Sequence, residues 1–151
     1  MTDDNMPDLL RLDNQLCFAL YSASNAIVRA YRPLLDKLDI TYPQYLVLLV
    51  LWQQDEISLK QLGEQLFLDS GTLTPLLKRL ESKGLIRRER NERDERLRVL
   101  KLTVEGNALK KLAADIPVQM RDQLRLSDTQ LQLLKAHCEL VQKQLHEQDD
   151  C

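Results

Sequence analysis

The chain has 151 residues, of which 44% are hydrophobic and 29% charged, and its formal net charge is −2. That suits one domain of ordinary size with a solvated surface, and it excludes an overall polybasic coat, so any nucleic-acid-binding surface has to be local. No apolar run reaches membrane-spanning length and no basic-then-apolar leader is evident, so a cytoplasmic protein is expected.

Only four glycines and five prolines interrupt the chain, which predicts long helices. From Leu9 to about Leu38 apolar residues recur every three or four positions, the period of an amphipathic helix, with Pro33 expected to kink it or end it early. Thr41 is a candidate N-cap for a second helix, with Pro43 in the first turn. Its run from Leu46 to Trp52 is apolar nearly all round and should be buried. Ser58 followed by Gln61 forms a capping box that starts a short helix through Leu62 and Leu66. A turn near Leu68–Ser70 leads into a helix reaching Lys83, with Leu73, Leu76, Leu77 and Leu80 facing inward and Gly84 closing it. Two short helices joined by a tight turn fit a helix-turn-helix. Pro75 is awkward there, and is tolerable only if the first regular turn begins near Thr72.

Leu85–Arg90, a polar tip at Asn91–Glu95, and the return segment Arg96–Leu102 read as a β-hairpin, a wing. Thr103 caps a further helix. The remainder, to about Gln148, is helical with breaks at Pro117 and Ser127, and Leu131, Leu134, Cys138, Val141 and Leu145 share one face of the last helix. The expected fold is mainly α with a small β-hairpin wing, a winged helix-turn-helix in a single domain over 1–151. The winged region spans about 57–103, flanked by long helices over about 9–38 and 104–148 that embrace each other.

Between Lys78 and Lys101 ten basic residues face five acidic ones, a net of +5 that leaves −7 on the rest. Cations on a helix end and wing reach phosphates and release counterions. A mixed charge run can also be a solvated hairpin, but its place after a helix-turn-helix favours DNA. Short polar residues at the start of the second helix, Ser70, Thr72 and Thr74 around Gly71 with Asp69 as N-cap, suit the end that enters a major groove, although ordinary capping also uses such residues. Candidate DNA contacts are therefore Asp69, Ser70, Gly71, Thr72, Thr74, Lys78, Arg79, Arg87, Arg88, Arg90 and Arg96.

The helix order, the Asp94-Glu95-Arg96 wing and the closing Leu102-Thr103-Val104-Glu105-Gly106 resemble the MarR family of bacterial regulators. Two segments, Leu66–Lys78 (LFLDSGTLTPLLK) and Ile40–Tyr45 (ITYPQY) following a cysteine-bearing N-terminal helix, resemble its organic hydroperoxide resistance regulators. The likeness covers roughly Leu9 to Gly106. It implies an intertwined helical homodimer on double-stranded, pseudo-palindromic operator DNA, with Arg96 reaching into a minor groove. It also implies a peroxide-reactive thiol at Cys17, with Tyr31 and Tyr42 as its hydrogen-bonding partners, and derepression of a gene for an enzyme that destroys organic hydroperoxides.

Cys17 and Tyr31 are fourteen positions apart on one helix, about 21 Å at 1.5 Å per residue, so within one chain they cannot touch. In a symmetric dimer with antiparallel N-terminal helices, Cys17 of one subunit meets Tyr31 of the other. Phenolic donors stabilise a thiolate over a thiol, and oxidation to a sulfenic acid changes those bonds. The apolar neighbours Leu16, Phe18 and Leu20 would favour peroxides with organic tails. Position alone allows a simpler role, a buried core thiol, for Cys17 and for Cys138. Cys138 is also a candidate resolving cysteine, and Cys151 is expected to fray. An odd cysteine count in a reducing compartment argues against a disulfide framework, and neither the cysteines nor His137 and His146 have metal-ligand spacing. No cofactor or metal is expected. Two other readings remain open: a repressor released by a lipophilic or phenolic ligand without redox chemistry, and a thiol peroxidase.

Overall fold

A computed structural model describes residues 7–94 and 98–149. The chain forms two compact units that divide between Ala114 and Asp115. The first unit opens with two short 3₁₀ turns, Asp8–Leu10 and Leu12–Asn14, before helix α1 (Leu16–Asp36). The regular helix thus starts later than the apolar period suggests. Local side chains compete for the carbonyls: Asn14 Nδ2 donates to Asp8 O at 2.8 Å and Gln15 Nε2 to Leu9 O at 2.6 Å, and such bonds favour turns over helix. Pro33 neither ends nor shortens α1, which continues past it to Asp36. It lies on the exposed side near the end, where solvent can serve the carbonyl left without its donor.

Helix α2 (Tyr42–Gln53) begins at a full capping box. Gln44 N donates to Thr41 Oγ1 at 3.4 Å and Thr41 N to Gln44 Oε1 at 2.9 Å. Tyr45, Val47, Leu48, Val50 and Leu51 are buried, while Leu49 remains partly exposed. A two-residue strand β1 (Ile57–Ser58) follows. Helices α3 (Leu59–Leu66) and α4 (Ser70–Ser82) come next, the first capped by Ser58 with Gln61 as expected. Gly84 takes a left-handed φ of 73° just beyond α4, a conformation open to glycine at little cost.

Strands β2 (Ile86–Arg90) and β3 (Arg98–Leu102) form the hairpin, and β1 pairs with the far edge of β3, so the antiparallel sheet has the order β1-β3-β2. Both strands fall within the hairpin arms read from the sequence, with Arg96 and Leu97 of the second arm outside the described residues. The third strand was not expected, since two residues offer no alternation to read. In register, Ile57 faces Leu100, and Arg88 also faces Leu100 on the other side. Helix α5 (Val104–Ala113) closes the unit, capped by Thr103 Oγ1, which accepts from Gly106 N at 3.0 Å. The core between α1 and the sheet contains Leu35, Leu48, Leu51, Ile57, Leu62, Leu73, Leu77, Leu80, Ile86 and Leu100, each at or below 2% exposure.

The second unit holds α6 (Ile116–Leu124) and α7 (Asp128–Asp149). Pro117 starts α6 as a first-turn residue, and Ser127 forms a capping box with Gln130 at the head of α7, both at the expected breaks. No described residue of α7 is buried, and Leu133, Leu134, Leu140, Val141 and Leu145 stand exposed along it.

Candidate DNA-binding surface and redox site

Asp69 sits at the N-cap of α4, where its carboxylate accepts from Thr72 N at 2.7 Å. That bond holds its carboxyl below the usual range and commits Asp69 to the cap. Ser70, Gly71 and Thr72 are exposed in the first turn, beside the unpaired amides of the helix start. Thr74 is turned back, its Oγ1 donating to Ser70 O at 2.7 Å. Pro75 lies inside α4, which begins at Ser70 and not near Thr72. Gly71, whose carbonyl loses its partner, is exposed, so the helix tolerates the proline. Lys78 and Arg79 are exposed on the outer face of α4.

On the wing, Arg87 and Arg90 are exposed, and Arg87 makes only a loose 3.9 Å pair with Glu89. Arg88 behaves differently. Its side chain is mostly covered and its Nε pairs with Glu81 of α4, bracing the wing on the helix. Arg96 lies outside the described residues. Arg98, not singled out from the sequence, stands directly opposite Arg90 across the hairpin. Like charges in that position repel unless an anion lies beside them. The register of the two arms was the missing signal. Below them Lys101 Nζ lies 3.1 Å from Glu56 and 3.7 Å from Glu89, and both carboxylates, Glu56 foremost, raise its pKa.

Two of the three expected sensor residues meet. The Tyr31 ring of α1 lies 4.7 Å from that of Tyr42, the first residue of α2. Tyr45 joins them at 5.8 and 6.3 Å, and Trp52 meets Tyr45 edge-on at 6.4 Å. Tyr42, Tyr45 and Trp52 recur at helical spacing, which is how the sequence could have pointed to the last two. Burial, followed by the neighbouring Tyr42 and Tyr45, pushes the Tyr31 phenol up to about 12, and burial raises Tyr42 and Tyr45 as well. Burial thus disfavours the phenolate forms, and at neutral pH all three phenols carry their protons, as any tyrosine does.

Cys17 is the second residue of the same uninterrupted α1 and is exposed, as is Cys138 on α7. The buried core role fails for both within the chain. Lys83, the C-cap of α4, contributes a further tie: its Nζ donates to Asp39 O and, at 3.3 Å, to Gln44 Oε1 of the α2 capping box.

A winged helix-turn-helix with an exposed helix start, an arginine-bearing wing and an aromatic cluster at the junction of α1 and α2 suits a DNA-binding regulator. The family description of the SarA/Rot transcriptional regulators matches residues 29–112. The organic hydroperoxide resistance transcriptional regulator of Bacillus subtilis is 48% identical over 146 residues, covering 97% of this chain and 99% of that one. The chain belongs to the MarR family of transcriptional regulators, in its organic hydroperoxide resistance branch. Among solved structures of the family, reduced AbfR bound to DNA superposes with a TM-score of 0.75 at 36% identity, over 89% of this chain and 94% of that one; AbfR comes from Staphylococcus epidermidis. MarR of E. coli superposes at 0.68 with 27% identity, over 84% and 96%. Membership of this branch makes the chain a regulator of transcription and not an enzyme. Among the described residues no helix is long and apolar enough to cross a membrane.

Proposed function

We propose that the protein is a cytoplasmic, homodimeric repressor that binds a pseudo-palindromic operator and releases it when an organic hydroperoxide oxidises Cys17. The pairing of Tyr31 with Tyr42 carries this reading. Two phenols from different helices make a hydrogen-bond donor site that Cys17 of the same chain cannot reach, since it is about 21 Å along α1 from Tyr31. A second copy supplies that thiol. The large apolar side chains exposed along α1 (Leu16, Phe18, Tyr21) and along α7 support a dimer, because apolar surface gathered on a helix marks a contact surface.

In this reading the Cys17 thiolate attacks one peroxide oxygen. The S–O bond forms as the O–O bond breaks. Sulfur gives up two electrons, and the alkoxide leaving group takes a proton to become the alcohol. The sulfenic acid cannot keep the thiolate's bonds to Tyr31 and Tyr42, so the helices carrying them shift. Recognition helices have to stay about 34 Å apart to read both half-sites, and a displaced dimer interface breaks that spacing. Ser70, Gly71 and Thr72 approach the major groove, with Lys78 and Arg79 on phosphates, and Arg87, Arg90, Arg96 and Arg98 form the wing contact. Thr74, Asp69 and Arg88 hold the frame. Cys138, exposed on α7, is the resolving thiol: it condenses with the sulfenic acid to a disulfide and releases water.

The test is an operator gel shift on reduced and hydroperoxide-treated protein, wild type beside Cys17→Ser. Wild type should release DNA and Cys17→Ser should remain bound. If Cys17→Ser releases as wild type does, the trigger is not this thiol. A dimer-sized band on non-reducing gels, lost in Cys138→Ser, is expected for the resolving step; a band that persists in Cys138→Ser removes that role.

A further inference from the structure

We infer that Trp52 is a positioning residue that passes the movement of the tyrosine cluster to the junction between the recognition helix and the wing. The inference rests on the redox reading above and adds the route from sensor to DNA-binding surface. Trp52 ends the aromatic series: Tyr31 and Tyr42 pack on Tyr45, and Tyr45 meets the edge of Trp52. Tyr45 is 2% exposed, and a close-packed interior transmits a displacement instead of absorbing it. At its far side Trp52 is fastened to α5. Its Nε1 donates to Gly106 O at 2.9 Å, and its own carbonyl accepts from Lys110 Nζ at 3.4 Å.

Gly106 has no slack. A Cβ there would lie 2.0 Å from Leu85 O, so the backbone of α5 rests directly on Leu85. The same carbonyl accepts from Thr103 N at 3.1 Å, and Thr103 Oγ1 donates to Gly84 O at 2.6 Å. Gly84 and Leu85 follow Lys83, the C-cap of α4, and lead directly into the first residue of β2. The first turn of α5 therefore clamps the point where recognition helix becomes wing, and Trp52 holds that turn from the sensor side. A shift of Tyr45 that moves Trp52 moves Gly106, and Gly106 cannot move without Leu85.

Trp52 is the chain's one tryptophan, so its emission reports on this junction without a label. Adding tert-butyl hydroperoxide to the reduced wild type should change the emission in step with operator release, and should leave Cys17→Ser unchanged. Release with unaltered emission overturns the inference. In Trp52→Phe, which keeps a ring beside Tyr45 but removes the N–H donor, reduced protein should bind operator as wild type does and Cys17 should oxidise at the same rate by mass spectrometry. The affinity lost on oxidation should be at least ~10-fold smaller than in wild type, within the usual range of coupling between sites. A merely structural role would weaken reduced and oxidised binding alike and leave their ratio unmoved, which overturns the inference. Should wild type with oxidised Cys17 stay on its operator, the redox reading itself falls and takes this one with it. The emission experiment needs no variant at the junction, so a misfolded Trp52→Phe would not shield the inference.

Discussion

The segment from α2 to β3 and the helix α7 come from the same chain and treat their apolar residues in opposite ways. In the first, Val47, Leu48, Leu62, Leu77, Leu80 and Leu100 are fully buried, and each helix start has a side-chain cap. In the second, Leu134, Val141 and Leu145 occupy one face of a 22-residue helix and remain open to solvent. The DNA-reading half is thus complete in one copy. The α7 half leaves the apolar face of its helix open, the surface that the proposed dimer would cover. The proposed sensor would draw on both kinds of surface: Tyr31 and Tyr42 are half-buried where α1 meets α2, and Cys17 sits on the exposed start of α1.

The widest separation between the two regions is expected in unfolding. Leu77→Ala should cost about 2–5 kcal/mol, the usual range for a buried leucine, and lower Tm by the same amount at every protein concentration. Leu134→Asp should act through association. A dimer that unfolds to monomers has a concentration-dependent Tm, and Leu134→Asp should flatten that dependence while shifting the size-exclusion profile to monomer and abolishing operator binding. A wild-type Tm that does not vary with concentration would sink the dimer and, with it, the shared sensor.

The same division explains what could be read from the sequence. Caps, helix periods and turns are local, so α2, α3, α4, the wing and the breaks at Pro117 and Ser127 were legible. The start of α1 was misjudged because Asn14 and Gln15 capture carbonyls that the apolar period would have left to the helix. Pro33 does not end α1 early, and Pro75 is held inside an α4 that begins at Ser70, because both lie on exposed faces. In the site, composition marked the basic wing, but the distinction between Arg88 as a brace and Arg98 as Arg90's neighbour depends on strand register and the packing of α4. Tyr31 and Tyr42 were brought together by family resemblance, whereas Tyr45 and Trp52 left only a helical spacing in the sequence, and the contact of Tyr45 with Tyr31 comes from the packing of α1 on α2.

A smaller effect should follow at the head of α4. Asp69→Ala removes the acceptor for Thr72 N, and losing such a cap costs about 0.5–2 kcal/mol. Because the cap belongs wholly to the closed region, thermal stability and operator affinity should both fall while the size-exclusion profile stays that of wild type. A change in association state would show that the two regions are less independent than their burial implies.

The smallest effect at neutral pH, and the one most specific to the border between the regions, concerns Tyr31. Its phenol holds its proton up to about 12 in the folded chain against 10.0 for an unperturbed tyrosine. The folded state therefore binds that proton more tightly than the unfolded state does. This contribution is fully present below pH 10 and is lost as pH rises from 10 through about 12. Tyr42 and Tyr45, also raised, act in the same direction. Urea unfolding from pH 8 to 11 should show wild type losing stability faster than Tyr31→Phe above pH 10, the lysines titrating equally in both. Parallel curves would mean that Tyr31 ionises as freely folded as unfolded. The burial that sets this phenol apart would then be absent in solution, while its proton at neutral pH would be untouched, because an unperturbed tyrosine is also protonated there.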